Sequence, residues 1–196
     1  MRSLLMLLLV AAAPAAAQVR LAARAGVTGS TAIVKDQIVE DIKVVPALAP
    51  TLTIGASLAV NPKLRADLEL AYATSTAEVQ ESGDQTGDLG SVGTLAYTVG
   101  LSGPILSRLS WRLSLGGLTY LPSEEEGIFR DGGHTTLLFG AGLDWRQPIS
   151  TAWAIIAGLR YDFHTFTTDA LEAQGFTQSQ QVQRMGLSVG AAWDTP

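Results

Sequence analysis

The sequence predicts an all-β chain: eight antiparallel strands closed into an up-and-down transmembrane β-barrel, with short turns at one end and four long loops at the other. Three observations carry that expectation. Apolar residues alternate with polar or small ones, at a period of two, in eight separate segments, which marks strands with two unlike faces. The connections between segments are alternately tight and proline-containing or long and polar. The composition is 47% hydrophobic but only 16% charged, a balance that needs either a large core or contact with lipid.

The chain begins MRSLLMLLLVAAAPAAAQ, with Arg2 before an apolar run from Leu4 to Val10 and with Ala15 and Ala17 in the small-residue positions before Gln18. This is the arrangement of a secretory signal peptide over residues 1–17, leaving 18–196 as the barrel domain. The apolar run is too short for a membrane anchor, and no later stretch approaches the ~18 apolar residues of a spanning helix. There is no cysteine among the 196 residues, so the exported chain stands without disulfides.

Each strand is legible in turn. The first sets Leu21, Ala23, Ala25 and Val27 against Arg20, Arg24 and Thr28, and the second sets Leu52, Ile54, Ala56, Leu58 and Val60 against Thr51, Thr53, Gly55 and Ser57. In the third, Leu64, Ala66, Leu68, Leu70 and Tyr72 oppose Arg65, Asp67 and Glu69. The fourth carries Leu95, Tyr97, Val99 and Leu101, and the fifth Leu109, Trp111, Leu113 and Leu115. Gly116-Gly117 interrupts the fifth, and a β-bulge there would let Leu118 and Tyr120 continue the apolar face. The sixth alternates Leu137, Phe139, Ala141, Leu143 and Trp145 with Gly140, Gly142, Asp144 and Arg146. The seventh has Leu159, Tyr161 and Phe163 against Arg160, Asp162 and His164, and the eighth Met185, Leu187, Val189, Ala191 and Trp193 against Arg184, Gly186, Ser188 and Gly190. Tight connections fall at Asn61-Pro62, Gly103-Pro104 and Gln147-Pro148, and long polar ones around 29–48, 74–92, 121–135 and 165–181.

A soluble barrel would turn the apolar face inward and leave a surface of glycine, alanine and serine. An outward apolar face needs a bilayer, and closure of the sheet satisfies every backbone group within it. Threading from a periplasmic N-terminus puts Trp111, Trp145, Trp153 and Trp193 at the turn end, a periplasmic aromatic girdle. Tyr72, Tyr97, Tyr120, Tyr161 and Phe163 fall towards the extracellular loop end, giving the second girdle of an outer-membrane barrel.

The signal peptide, the eight strands and the terminal RMGLSVGAAW resemble the small outer-membrane barrels of Gram-negative bacteria: the barrel domain of outer membrane protein A, the opacity-like proteins and the outer membrane protein W group. The resemblance implies residence in the cell outer membrane among its lipids and lipopolysaccharide, and delivery by periplasmic chaperones to the barrel-assembly machinery; the sequence does not fix the oligomeric state, with a monomer the expectation. Arg184, Gly186, Val189, Ala191 and Trp193 look like the signal which that machinery reads. Asp194-Thr195-Pro196 beyond the aromatic residue departs from it.

Charge has a direction. The loops hold thirteen carboxylates against Lys35, Lys43 and Arg130, a net −10, whereas the strands and turns hold nine cations against five carboxylates, a net +4. Acidic loops solvate and repel neighbours, and runs such as Glu124-Glu125-Glu126 could share divalent cations with lipopolysaccharide phosphates. On the inward parity lie Arg24, Arg65, Asp67, Glu69, Arg112, Asp144, Arg160, Asp162 and Arg184. These are expected to form a salt-bridged network that plugs the lumen, since an eight-stranded interior is just filled by side chains; the alternative is a narrow channel for small solutes.

Catalytic signals are sparse. Barrels that hydrolyse lipid A place a histidine and a serine two residues apart facing lipid; here Phe166 stands at that spacing from His164, whose parity is inward, so hydrolysis is a remote alternative and no enzyme is expected. No cofactor, zinc spacing, phosphate-binding glycine loop or nucleic-acid surface is indicated. The glycines at strand parity serve close packing and curvature. With Trp145 paired to Trp153 across the Gln147-Pro148 turn, His134 falls opposite His164 at the outer mouth with Asp162 just below. The expected role is a hydrogen-bonded pair capping the lumen; a transition-metal site or pH-sensitive latch of His134, His164 and Asp162 is the sharper possibility. The function expected is structural, in envelope integrity or adhesion through the loops.

Overall fold

A computed structural model describes residues 18–36, 42–81, 84–123, 129, 134–168 and 180–195. The signal peptide expected over 1–17, and the acidic residues Glu40, Asp41, Glu124 to Glu126, Asp131, Asp169 and Glu172, lie outside the described residues. The described residues form ten strands: β1 Val19–Ser30, β2 Val34–Asp36, β3 Ile42–Pro46, β4 Ala49–Asn61, β5 Leu64–Glu81, β6 Asp84–Pro104, β7 Leu109–Pro122, β8 Thr135–Pro148, β9 Trp153–Phe166 and β10 Gln180–Asp194.

Eight of them close a barrel in the order β1-β4-β5-β6-β7-β8-β9-β10, every neighbouring pair antiparallel, with β10 returning to β1. The closing seam is continuous from Arg20 opposite Asp194 to Ser30 opposite Arg184. No edge is left in the ring, so the backbone polar groups of all eight strands are paired within the sheet, as a non-aqueous surrounding requires.

The faces are the reverse of those of a water-soluble protein. Leu52, Leu68, Leu113, Val99 and Leu187 are exposed, whereas Asp67, Glu69 and Asp162 are buried. A belt of exposed Leu, Ile and Val around a charged interior is stable only against hydrocarbon. Trp145 and Trp153 are exposed at the turn end, and Tyr72, Tyr97 and Tyr161 towards the other, in the positions expected of interfacial girdles.

Two of the four expected long loops contain strand. The segment 29–48 contains the β2–β3 hairpin, and β3 pairs with the outer part of β5 from Ile42 opposite Glu81 to Pro46 opposite Ala77. The segment 74–92 is taken up by the outer ends of β5 and β6, strands of 18 and 21 residues that pair as far as Glu81 opposite Asp84. A hairpin that has left the bilayer has no lipid face, so the apolar alternation that marks a barrel strand disappears although the pairing continues.

The bulge expected at Gly116-Gly117 is absent: β7 keeps one register against β6 and against β8 through both glycines. Leu118 and Tyr120 therefore do not continue the lipid face. Both are buried inside the barrel, and Tyr120 leaves the aromatic girdle assigned to it. Gly117 stays on the outer face beneath the ring of Tyr97, which occupies the place of a side chain there. Register shifts fall instead between Ala59 and Asn61 and at Thr76/Glu78 and Val79/Gln80.

Candidate functional site: the barrel interior

Inward positions alternate along each strand, so the lumen is built from every second residue of eight strands. At its middle sits a clamp of opposite charges. Glu69 on β5 accepts from Arg112 on β7 and from Arg160 on β9, at opposite carboxylate oxygens. Arg112 also donates to Asp144 on β8 at 2.7 Å, and Arg24 on β1 reaches the same carboxylate at 3.1 Å and Glu69 at 3.8 Å. Arg160 donates in addition to Asp162 at 2.7 Å. Five strands are thus tied across the lumen by groups that are nearly all desolvated, where charge-assisted hydrogen bonds are strong and losing one partner is costly.

Glycine makes room for this clamp. A Cβ at Gly140 would lie 2.6 Å from an Asp162 oxygen and 3.2 Å from an Arg160 nitrogen, and one at Gly158 would lie 2.9 Å from an Asp144 oxygen and 3.3 Å from an Arg24 nitrogen. Close packing of the sheet is also real, since Gly26, Gly116 and Gly190 each place a missing Cβ against the backbone of the neighbouring strand.

The expected network is therefore partly one unit. Arg24, Glu69, Arg112, Asp144, Arg160 and Asp162 come together. Arg184 stands apart, donating to Thr94 at 3.2 Å. Arg65 donates to the carbonyls of Gln18 and Ser57, each at 3.0 Å, and Asp67 has no hydrogen-bond partner among the described residues. A second knot closes the β1–β10 seam at the turn end: Asp194 accepts from Arg20 at 2.7 Å and from Arg146.

Above the clamp the interior changes character. Ile33, Val44, Val92, Leu118, Tyr120, Phe129, Leu138, Phe166 and Val182 form a buried apolar cluster. Tyr120 and Phe166 meet edge to face at 4.9 Å between centroids, and Phe129 and Phe166 at 5.9 Å. The alternation along the strands does not announce this apolar plug. Its trace in the sequence is the pair Leu118 and Tyr120 on the inward parity of β7, and Leu138 beside the lipid-facing Leu137.

The histidines are not a pair. Trp145 lies opposite Ala157, not Trp153, and His164 lies opposite Leu138, four residues along from His134. The turn is the reason: five residues, Ile149 to Trp153, lie between the two members of the last β8–β9 pair, Pro148 and Ala154, with Ile149 N–H donating to the Trp153 carbonyl at 2.9 Å, and Trp153 pairs with Trp193 of β10. A shift of four keeps the parity, so His164 still points inward, while its partner changes. Its Nε2 lies 2.7 Å from the Tyr120 hydroxyl, and the ring of His134 meets Phe166 edge-on at 6.1 Å. Asp162 is taken by Arg160. The metal or latch constellation of His134, His164 and Asp162 is not assembled, and no group of three metal-ligating side chains occurs among the described residues.

Free space in the lumen is uneven. At the turn end a vestibule of about 350 Å³ reaches from Pro62, Pro104 and Arg108 up to Glu69, Arg112 and Asp144. Among the described residues, cavities of about 30 to 50 Å³ lie at the clamp and beyond it, one beside Arg24, Glu69 and Arg112, one beside Arg160 and Arg184 and one beneath Tyr120.

A closed ring of eight strands with a lipid-facing belt and a charged interior defines a small transmembrane β-barrel, the fold of small outer-membrane proteins. Among solved structures the chain is similar to Neisserial surface protein A, with a TM-score of 0.57 at 14% identity over 89% of this chain and 96% of that one. It is also similar to Ail, the attachment invasion locus protein of Yersinia pestis, solved with the heparin analogue sucrose octasulfate, with a TM-score of 0.54 at 13% identity over 91% and 99% of the two chains. A third is the outer membrane protein OprG of Pseudomonas aeruginosa, with a TM-score of 0.53 at 14% identity over 92% and 96%. At these identities the likeness is one of fold. No family model and no curated protein matches the chain.

Proposed function

We propose that this barrel is a closed platform that holds β-hairpins and acidic loops outside the cell, with a role in surface attachment and envelope integrity rather than in solute passage or catalysis. The observation that carries this is the division of the molecule along its axis. The lumen is crossed by the Glu69 clamp and then filled by the apolar cluster, while β5 and β6 run on beyond the point where β7 ends, at Pro122 opposite Val92, and recruit β3. Ordered strand outside the bilayer is unnecessary for a membrane seal but suits a binding surface. The attachment protein among the fold relatives lends this reading support. Lipopolysaccharide, through divalent cations at the acidic loops, is the nearest partner.

Replacing 77–91 by a tight turn tests the proposal in cells. The barrel should still assemble, seen as heat-modifiable migration on a gel, while attachment to matrix-coated surfaces falls to the level of cells lacking the protein. Unchanged attachment, or none by cells expressing the full chain, would sink it.

A further inference from the structure

The vestibule at the turn end has a chemistry of its own. Its lining carries six arginines against three carboxylates, and Asp194, just outside the lining, is shared by two of them, Arg20 and Arg146, so the space is net positive. Glu69 and Asp144 are each already held by two arginines of the clamp. Three charged groups lie outside the clamp. Among the described residues Arg65 donates hydrogen bonds to carbonyl oxygens alone and keeps a buried, unbonded Nε, with the Asp67 carboxylate in its field. Arg108, at the exposed rim, makes no ion pair among the described residues. Asp67 lines the same space and is 8% exposed, and neither of its oxygens has a hydrogen-bond partner among the described residues.

A buried carboxylate without a donor is costly, and a carboxylate can only accept. A single small body that offers negative charge to the guanidinium groups and a hydrogen to Asp67 would satisfy both at once. Hydrogenphosphate does both, being doubly charged with one O–H. Sulfate has the same shape and charge but no hydrogen to give.

We propose that the vestibule binds inorganic phosphate from the periplasmic side, held by Arg65 and Arg108 and selected over sulfate by Asp67. The site is blind above, because the clamp separates it from the small cavities nearer the outer mouth, so the anion enters and leaves through the turn end. That direction of access rests on the closed lumen, which bilayer conductance tests separately; the binding itself does not.

The test uses the refolded barrel in a non-ionic detergent free of phosphate and sulfate, followed by NMR at the backbone amides and the arginine Nε–H groups. Sodium phosphate should give saturable shifts at the residues of the vestibule, and sodium sulfate should bind more weakly. Arg65→Gln and Arg108→Gln should each weaken phosphate by about tenfold, the loss of a charge-assisted hydrogen bond. Asp67→Asn supplies a donor in place of an acceptor and should bring sulfate up to phosphate. The absence of saturation, phosphate affinity unchanged in both arginine variants, or equal affinity of the native protein for the two anions would overturn the proposal. Should Asp67→Asn not fold, the arginine variants and the native preference still decide it.

Discussion

Glu69 shows how one buried side chain can hold several strands. Its two oxygens receive Arg112 and Arg160 from the far wall, and Arg24 lies at 3.8 Å. Glu69→Gln removes the charge and leaves those guanidiniums with uncompensated burial, so urea unfolding of the refolded barrel should show a loss of about 3–5 kcal/mol. An unchanged midpoint would mean that the clamp is not coupled to stability. Tyr120→Phe is the milder case. It deletes the 2.7 Å contact to His164 Nε2, and His164 Nδ1 has no partner among the described residues, so both ring nitrogens would be left unsatisfied. The expected cost is about 1–3 kcal/mol, again read by urea unfolding. At this scale the sequence was a good guide to sidedness and a poor one to partners. Arg24, Glu69, Arg112, Asp144, Arg160 and Asp162 could be placed inside by parity alone. Which of them touch depends on the stagger of eight strands around a ring, and parity does not carry that. The histidine pair failed for this reason, because the five-residue turn moved the β8–β9 register by four.

The strands themselves read well where lipid touches them. Leu187, midway along β10, is exposed on the outer face, between Val27 of β1 and Leu159 of β9. Leu187→Arg places a charge near mid-bilayer and should destabilise the barrel by about 2–4 kcal/mol, measured by reversible unfolding in lipid vesicles. A neutral effect would argue that this face does not meet hydrocarbon. The alternation was less informative where the surroundings changed. On β7 the large apolar residues pass from the lipid face at Leu113 and Leu115 to the lumen face at Leu118 and Tyr120, without any break in register. A pattern rule reads that change of face as a bulge, because it takes the inside of the barrel to be polar throughout. Beyond the bilayer, β2, β3 and the outer ends of β5 and β6 carry no lipid face, so nothing in their hydropathy separates them from loops.

Taken along its axis, the molecule has three zones: an arginine-rich vestibule at the turn end, the clamp across the middle, and an apolar cluster below the extracellular strands. The first two follow from the charge on the inward parity. The third comes from residues distant in sequence, Ile33, Val44, Val92, Phe129 and Phe166 among them, which only the closed ring and its β2–β3 hairpin bring together. This ordering is what the proposed role, a seal with a platform above it, rests on. Planar-bilayer recording of the refolded protein tests the seal most directly. The closed lumen predicts a flat baseline, with no discrete conductance steps across the range of voltages that a bilayer tolerates. Reproducible unitary steps, above all steps with anion preference, would contradict it and make the barrel a channel.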